Sequence, residues 1–123
     1  MEKTLKILVI DDSPFIFKAV KRALEPMGHE IAGYADNGRA GIELYESCKP
    51  DIVTLDITMP VMDGLETASG LIGRDPDVKI IMISAMGDEA LVENAKKIGV
   101  RHFLPKPFKP DALISVVNEL VNC

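Results

Sequence analysis

Five positions carry side chains that could act together: the adjacent carboxylates Asp11 and Asp12, a third carboxylate at Asp56, a hydroxyl at Ser84 and an ammonium at Lys106. Three carboxylates brought together repel, and at least one is driven towards protonation unless a cation offsets them. Oxygen-only ligands suit a hard ion, and a site that keeps several waters is typical of Mg2+. Lys106 adds a second positive charge on a flexible stem. A metal ion and a lysine facing a carboxylate supply what a phosphoryl group needs while its charge is spread over three oxygens. In that chemistry Asp56 is the nucleophile and forms an aspartyl phosphate. Asp11 and Asp12 hold Mg2+ with Asp56, directly or through water, and the backbone carbonyl of Thr58 completes the shell. Ser84 hydrogen-bonds one phosphoryl oxygen and Lys106 pairs with another.

Taken singly, each element has an ordinary explanation. Asp-Asp before Ser-Pro is often a charged helix start, Asp56 a turn carboxylate, Ser84 a strand-end hydroxyl, and Lys106 between two prolines a solvated loop lysine. What turns them into a site is the set of elements that must carry them. Leu5–Ile10, Asp51–Asp56 and Val78–Ile83 are nearly continuous apolar, β-branched runs, as suits strands covered on both faces. Glu30–Ala35 and the short Arg101–Pro105 complete five candidate strands. Between them lie amphipathic stripes. The first carries Ile16, Val20, Ala23, Leu24 and Met27, with Ser13 as N-cap and Pro14 at the first helical position. Asp36 is placed to cap a second helix bearing Ala40, Leu44 and Cys48, and Asp63-Gly64 leads into a third with Leu65, Ala68, Leu71 and Ile72. A fourth, with Leu91, Ala95 and Ile98, ends at Gly99, and a fifth opens at Pro110 or Asp111 with Leu113, Val117, Leu120 and Val121 inward. Strict alternation of strand and helix implies a doubly wound α/β fold, a parallel sheet with helices on both faces. Sites in such sheets form beyond the carboxyl ends of the strands, and there Asp11, Asp12, Asp56, Ser84 and Lys106 all fall.

The composition agrees with one domain, expected to span residues 1–123. With 47% apolar and 27% charged residues the chain is ordinary globular, and its length lets it bury roughly 65–70% of its unfolded surface. A net charge of −5 lacks the basic footprint of a nucleic-acid binder, so no direct nucleic-acid partner is expected. No apolar run approaches the roughly 20 residues that span a bilayer, and Met1–Lys3 lacks a signal-peptide layout. Cys48 and Cys123 read as incidental reduced thiols, and the expected location is cytoplasmic.

Asp11-Asp12, the run Leu55-Asp56-Ile57-Thr58-Met59-Pro60-Val61-Met62-Asp63-Gly64, Ser84-Ala85 and Lys106-Pro107-Phe108 together resemble the signature of receiver domains of two-component response regulators, from about Leu5 to Val121. The resemblance implies a flavodoxin-like five-stranded sheet in the order 2-1-3-4-5 with five helices. It also implies Mg2+-dependent transfer from a phosphohistidine of a sensor histidine kinase, with slow self-dephosphorylation as the only other chemistry. Asp56 matches the phosphoacceptor, Asp11 and Asp12 the acidic pair, Lys106 the signature lysine, Ser84 the Ser/Thr switch and Phe103 the aromatic switch. It further implies a cis Lys106–Pro107 bond, an output face over Gly87–Lys97, Arg101–Lys106 and Lys109–Ile114, and flanking of the attacking water's path by Thr58 and Met86. The stretch Ile83-Ser84-Ala85-Met86-Gly87 is similar to single-domain chemotaxis regulators of the CheY type. Such a protein acts as a monomer on a protein target, either a flagellar motor switch or, in a phosphorelay, a histidine phosphotransfer protein. A receiver excised from a DNA-binding regulator is a further alternative.

Two other classes share parts of the pattern. Asp56-Ile57-Thr58 mimics the Asp-x-Asp or Asp-x-Thr of haloacid-dehalogenase-type phosphohydrolases, but there the nucleophile follows the first strand. A flavodoxin-like FMN carrier needs a Ser/Thr-rich phosphate loop where this chain has Asp11-Asp12.

Overall fold

A computed structural model describes residues 4–59 and 62–121. Pro60, Val61 and Cys123, which the sequence reading included, lie outside them. The elements run β1 (Lys6–Ile10), α1 (Pro14–Leu24), β2 (Glu30–Ala35), α2 (Gly38–Cys48), β3 (Ile52–Asp56), α3 (Gly64–Arg74), β4 (Ile80–Ser84), α4 (Glu89–Ile98), β5 (His102–Pro105) and α5 (Pro110–Val121). The strands form one parallel sheet in the order β2-β1-β3-β4-β5. β3 and β4 are buried along their whole length, which is why their sequences are apolar without alternation.

Side chains leave the sheet alternately and feed two cores. Leu8, Ile10, Val53, Leu55 and Met82 pack with Ile42, Ala68, Leu71 and Ala95, beneath α2, α3 and α4. Ile7, Val9, Ile52 and Ile81 pack on the other face with Val20, Leu24, Leu113 and Val117 of α1 and α5. The helices differ in how firmly they are seated. α1 buries Val20, Ala23 and Leu24, and α5 buries Leu113, Val117 and Leu120, whereas α4 buries Ala95 alone.

Three local expectations are corrected. The N-cap of α2 is Asn37, whose side chain accepts from Ala40 N–H at 2.9 Å, and not Asp36. The Asp36 carboxylate instead accepts from Asn37 Nδ2 at 2.9 Å, and the helix opens at Gly38, where a Cβ would overlap the Thr67 hydroxyl of α3. Met27 does not extend the stripe of α1. Pro26 lacks an N–H, the helix stops at Leu24, and Glu25–Met27 tightens into a 3-10 turn that leaves Met27 exposed. Val121, in the last turn of α5, is also exposed and lies outside the core that Leu120 enters.

Cys48 is a free, half-buried thiol whose burial raises its pKa. Among the described residues no helix is long and apolar enough to cross a membrane.

Candidate functional site

Asp11, Asp56, Ser84 and Lys106 are each fixed by backbone pairing at the carboxyl rim of the sheet, and Asp12 follows Asp11. Asp11 follows β1, and its N–H donates to the Ala35 carbonyl of β2 at 3.0 Å. Its Oδ1 accepts from Ser13 N–H at 2.9 Å, while Ser13 caps α1 by accepting from Ile16 N–H at 3.4 Å. Asp56 closes β3 opposite Ile83 of β4. Immediately beneath it, Gly64 opens α3 so close that a Cβ would overlap the Asp56 carbonyl and Ile57 Cα. Lys106 follows β5, with its N–H donating to the Ser84 carbonyl at 2.7 Å and its bond to Pro107 cis, as expected.

This scaffold brings the carboxylates together. One oxygen from each of Asp11, Asp12 and Asp56 lies within 4.8 Å of the others. Asp11 and Asp56 are 1% and 3% exposed, whereas Asp12 faces solvent. Lys106 Nζ sits 3.3 Å from Asp56 Oδ1, and Thr58 N–H donates to the same oxygen at 3.3 Å. Asp11 Oδ2 is buried and has no hydrogen-bond partner. A buried acceptor without a donor costs free energy unless something positive meets it, so this oxygen fits a cation bound among the three carboxylates.

The electrostatics point the same way. Burial pushes the Asp11 carboxyl up from 3.8 to about 6; the Ser13 N–H opposes this and the Asp56 charge adds to it. Burial also raises Asp56, with Lys106 opposing but not overcoming it. One lysine is too little positive charge for this cluster.

The residue pattern is matched by known proteins. The family model of the response regulator receiver domain matches residues 7–118. The chain belongs to this family. The receiver domain is 42% identical over 115 residues to the chemotaxis protein CheY of Thermotoga maritima, covering 94% of this chain and 96% of that one. To CheY of Bacillus subtilis it is 38% identical over 117 residues, covering 95% and 98%. Among solved structures, a CheX–CheY–BeF3–Mg2+ complex from Borrelia burgdorferi matches with a TM-score of 0.88 at 34% identity, covering 94% of this chain and 88% of that one.

The other expected receiver residues fall around this centre. Ser84 is buried at the end of β4, and Thr58 is exposed beside Asp56. Met86 is 97% exposed in the β4–α4 loop. Phe103 is half-buried against the α2/α3/α4 core, with Lys96 Nζ of α4 5.9 Å from its ring centroid. One residue of the rim was not anticipated. Asp88 Oδ2 accepts from Ala85 N–H at 2.7 Å, directly after Ser84. The sequence did hold a signal for it, since an aspartate just past a glycine turn can reach back three residues to a backbone amide.

Proposed function

We propose that residues 1–123 form one receiver domain that takes a phosphoryl group on Asp56 from a sensor histidine kinase and signals through a changed protein-binding face. The observation that carries this reading is Lys106 Nζ 3.3 Å from a buried Asp56 carboxylate that clusters with Asp11 and Asp12. An Asp56 oxygen attacks phosphorus, the P–N bond of the donor phosphohistidine breaks, and its electron pair returns to the imidazole nitrogen. Asp11, Asp12, Asp56 and the Thr58 carbonyl would hold Mg2+, which would supply the positive charge that offsets the carboxylates and the transferring oxygens. Lys106 pairs with one phosphoryl oxygen, and Ser84 moves in to hydrogen-bond another. Phe103 packs into the space that the serine leaves, so phosphorylation shifts the population of the α4–β5–α5 face. The relatives named chemotaxis protein CheY support a chemotaxis role; the proposal adds the cytoplasm as location and a flagellar motor switch protein as target, with a histidine phosphotransfer protein as the alternative.

Labelling with radioactive acetyl phosphate, followed by peptide mapping, tests the reading. One labelled site is expected, at Asp56, and excess EDTA is expected to stop labelling altogether. Label at another residue, or undiminished label in EDTA, overturns it.

Lys106→Ala separates uptake from output. Removing one charged group from a transferring phosphoryl costs about a hundredfold in rate, so the variant labels slowly. NMR shifts around Phe103 that accompany phosphorylation in the wild type are expected to disappear; if they persist unchanged, Lys106 is not the link.

A further inference from the structure

The first amide beyond β4 is held away from the ladder. Ile57 N–H donates to the Ile83 carbonyl at 3.0 Å, and the next rung of a parallel pair would run from Ala85 N–H to the Ile57 carbonyl. That carbonyl instead accepts from Gly64 N–H at 3.0 Å, where α3 begins. Ala85 N–H turns to Asp88 Oδ2 at 2.7 Å, and Asp88 N–H returns to the Ala85 carbonyl at 3.2 Å. The four-residue loop is thus closed from both ends, and Gly87 at φ +97° supplies the left-handed residue it needs. Asp88 differs from the residues in the same position at the other helices. Ser13, Asn37 and Asp63 are extended and cap α1, α2 and α3 with their side chains. Asp88 has φ −91° and ψ 14° and makes no side-chain bond to α4.

We propose that Asp88 is a positioning residue that latches the β4–α4 loop by engaging the Ala85 amide, and that a phosphoryl group on Asp56 must displace its carboxylate to recruit that amide. The inference rests on the reading of Asp56 as phosphoacceptor. Ala85 N–H follows Ser84, the last residue of the strand paired with β3, so it is a donor at the rim where negative charge arrives. A carboxylate oxygen and a phosphoryl oxygen are both anionic acceptors, and one N–H serves one of them well. The latch therefore lowers the fraction of molecules ready to bind the anion, and the apparent affinity falls with that fraction.

Beryllofluoride with Mg2+, a phosphoryl mimic that needs no kinase, provides the test. The dissociation constant is measured for the wild type, Asp88→Ala, Asp88→Asn and Glu89→Gln, while the Ala85 amide is followed by NMR. Loss of a hydrogen bond to a charged acceptor predicts roughly tenfold or more tighter binding for Asp88→Ala. Asp88→Asn keeps an acceptor oxygen and falls between the two. Glu89→Gln removes the same charge from the neighbouring exposed position and stays within about twofold of the wild type. In the wild type the Ala85 amide shifts as beryllofluoride binds. Equal affinities for the wild type and Asp88→Ala, or an equal gain from Glu89→Gln, overturn the latch. Should Asp88→Ala not fold, the wild-type amide decides, and an unmoved Ala85 resonance overturns it. Failure of the wild type to bind beryllofluoride overturns the Asp56 reading itself, a different outcome from binding without an Asp88 effect.

Discussion

Asp56→Asn is expected to take up no phosphoryl label from acetyl phosphate, while unfolding in urea no earlier than the wild type. The amide oxygen that replaces the carboxylate is a poor nucleophile, because it carries no net negative charge and attack through it would leave a positively charged, unstable product. The substitution nonetheless keeps the shape of the side chain, and an oxygen remains to accept the Thr58 N–H that Asp56 Oδ1 accepts in the wild type. Lys106 loses its partner, but Lys106 is about a quarter exposed and can turn to water. The neighbouring carboxylates gain, since one negative charge leaves a group of three. Burial already raises the pKa of Asp56, so its charge is a burden on the metal-free fold. The two readouts are label incorporation and the urea midpoint in EDTA. Wild-type labelling of Asp56→Asn at a single site would show that another residue is the acceptor.

The second large effect is on stability and its pH dependence. In the folded chain the Asp11 carboxyl titrates near pH 6, against 3.8 when unfolded. Between those values the native state holds more protons than the unfolded state, so raising the pH favours unfolding. The stabilisation present below pH 3.8 is lost as the pH passes through about 6. A shift of this size is worth about 2–3 kcal/mol. Metal-free wild type is therefore expected to be less stable at pH 7 than at pH 4.5 through this group. Asp11→Asn keeps an acceptor for the Ser13 N–H while removing the charge, so it should be more stable than the wild type at pH 7 in EDTA and lose most of this slope. Mg2+ should reverse the ranking. A ligand at a hundred times its dissociation constant adds about 2.7 kcal/mol to the protein that binds it, and the variant lacks a ligand oxygen. Urea titrations at the two pH values, with Mg2+ or with EDTA, measure all of this. A less stable Asp11→Asn in EDTA would mean that the carboxylate is stabilised by something other than a cation.

The strands and the rim were legible because they follow from strong local rules. Asp56 and Ser84 end buried apolar runs, and parallel pairing brings such ends to one edge whatever the loops do. Boundaries were less legible where the folded backbone decides them. In sequence Asp36 and Asn37 are equally good caps, and only the backbone placement of Asn37, extended with its side chain accepting from Ala40 N–H, decides between them. Val78 looks like strand, but its N–H is engaged by the Asp75 carbonyl at 3.0 Å and β4 begins at Ile80. Asp88 reads as one more acidic residue at the start of a helix. The glycine turn allows its reach back to Ala85, but that the Ile57 carbonyl is taken by Gly64 N–H, which leaves the Ala85 amide free for it, is visible only in the fold.

The uneven seating of the helices bears on what a partner can read from this domain. A helix that fully buries three side chains loses more apolar burial on displacement than one that buries a single alanine. One that buries only Ala95 fully, with Leu91 and Val92 half-buried against the core, has less to lose by sliding, fraying or re-registering. Amide hydrogens of α4 therefore belong to the fast-exchanging end of the molecule, and those of β3 and β4 to the slow end. The rim sits on fully buried strands while the helix beside it is more lightly packed, so a small bias at Ser84 is expected to act on α4 before it disturbs the core.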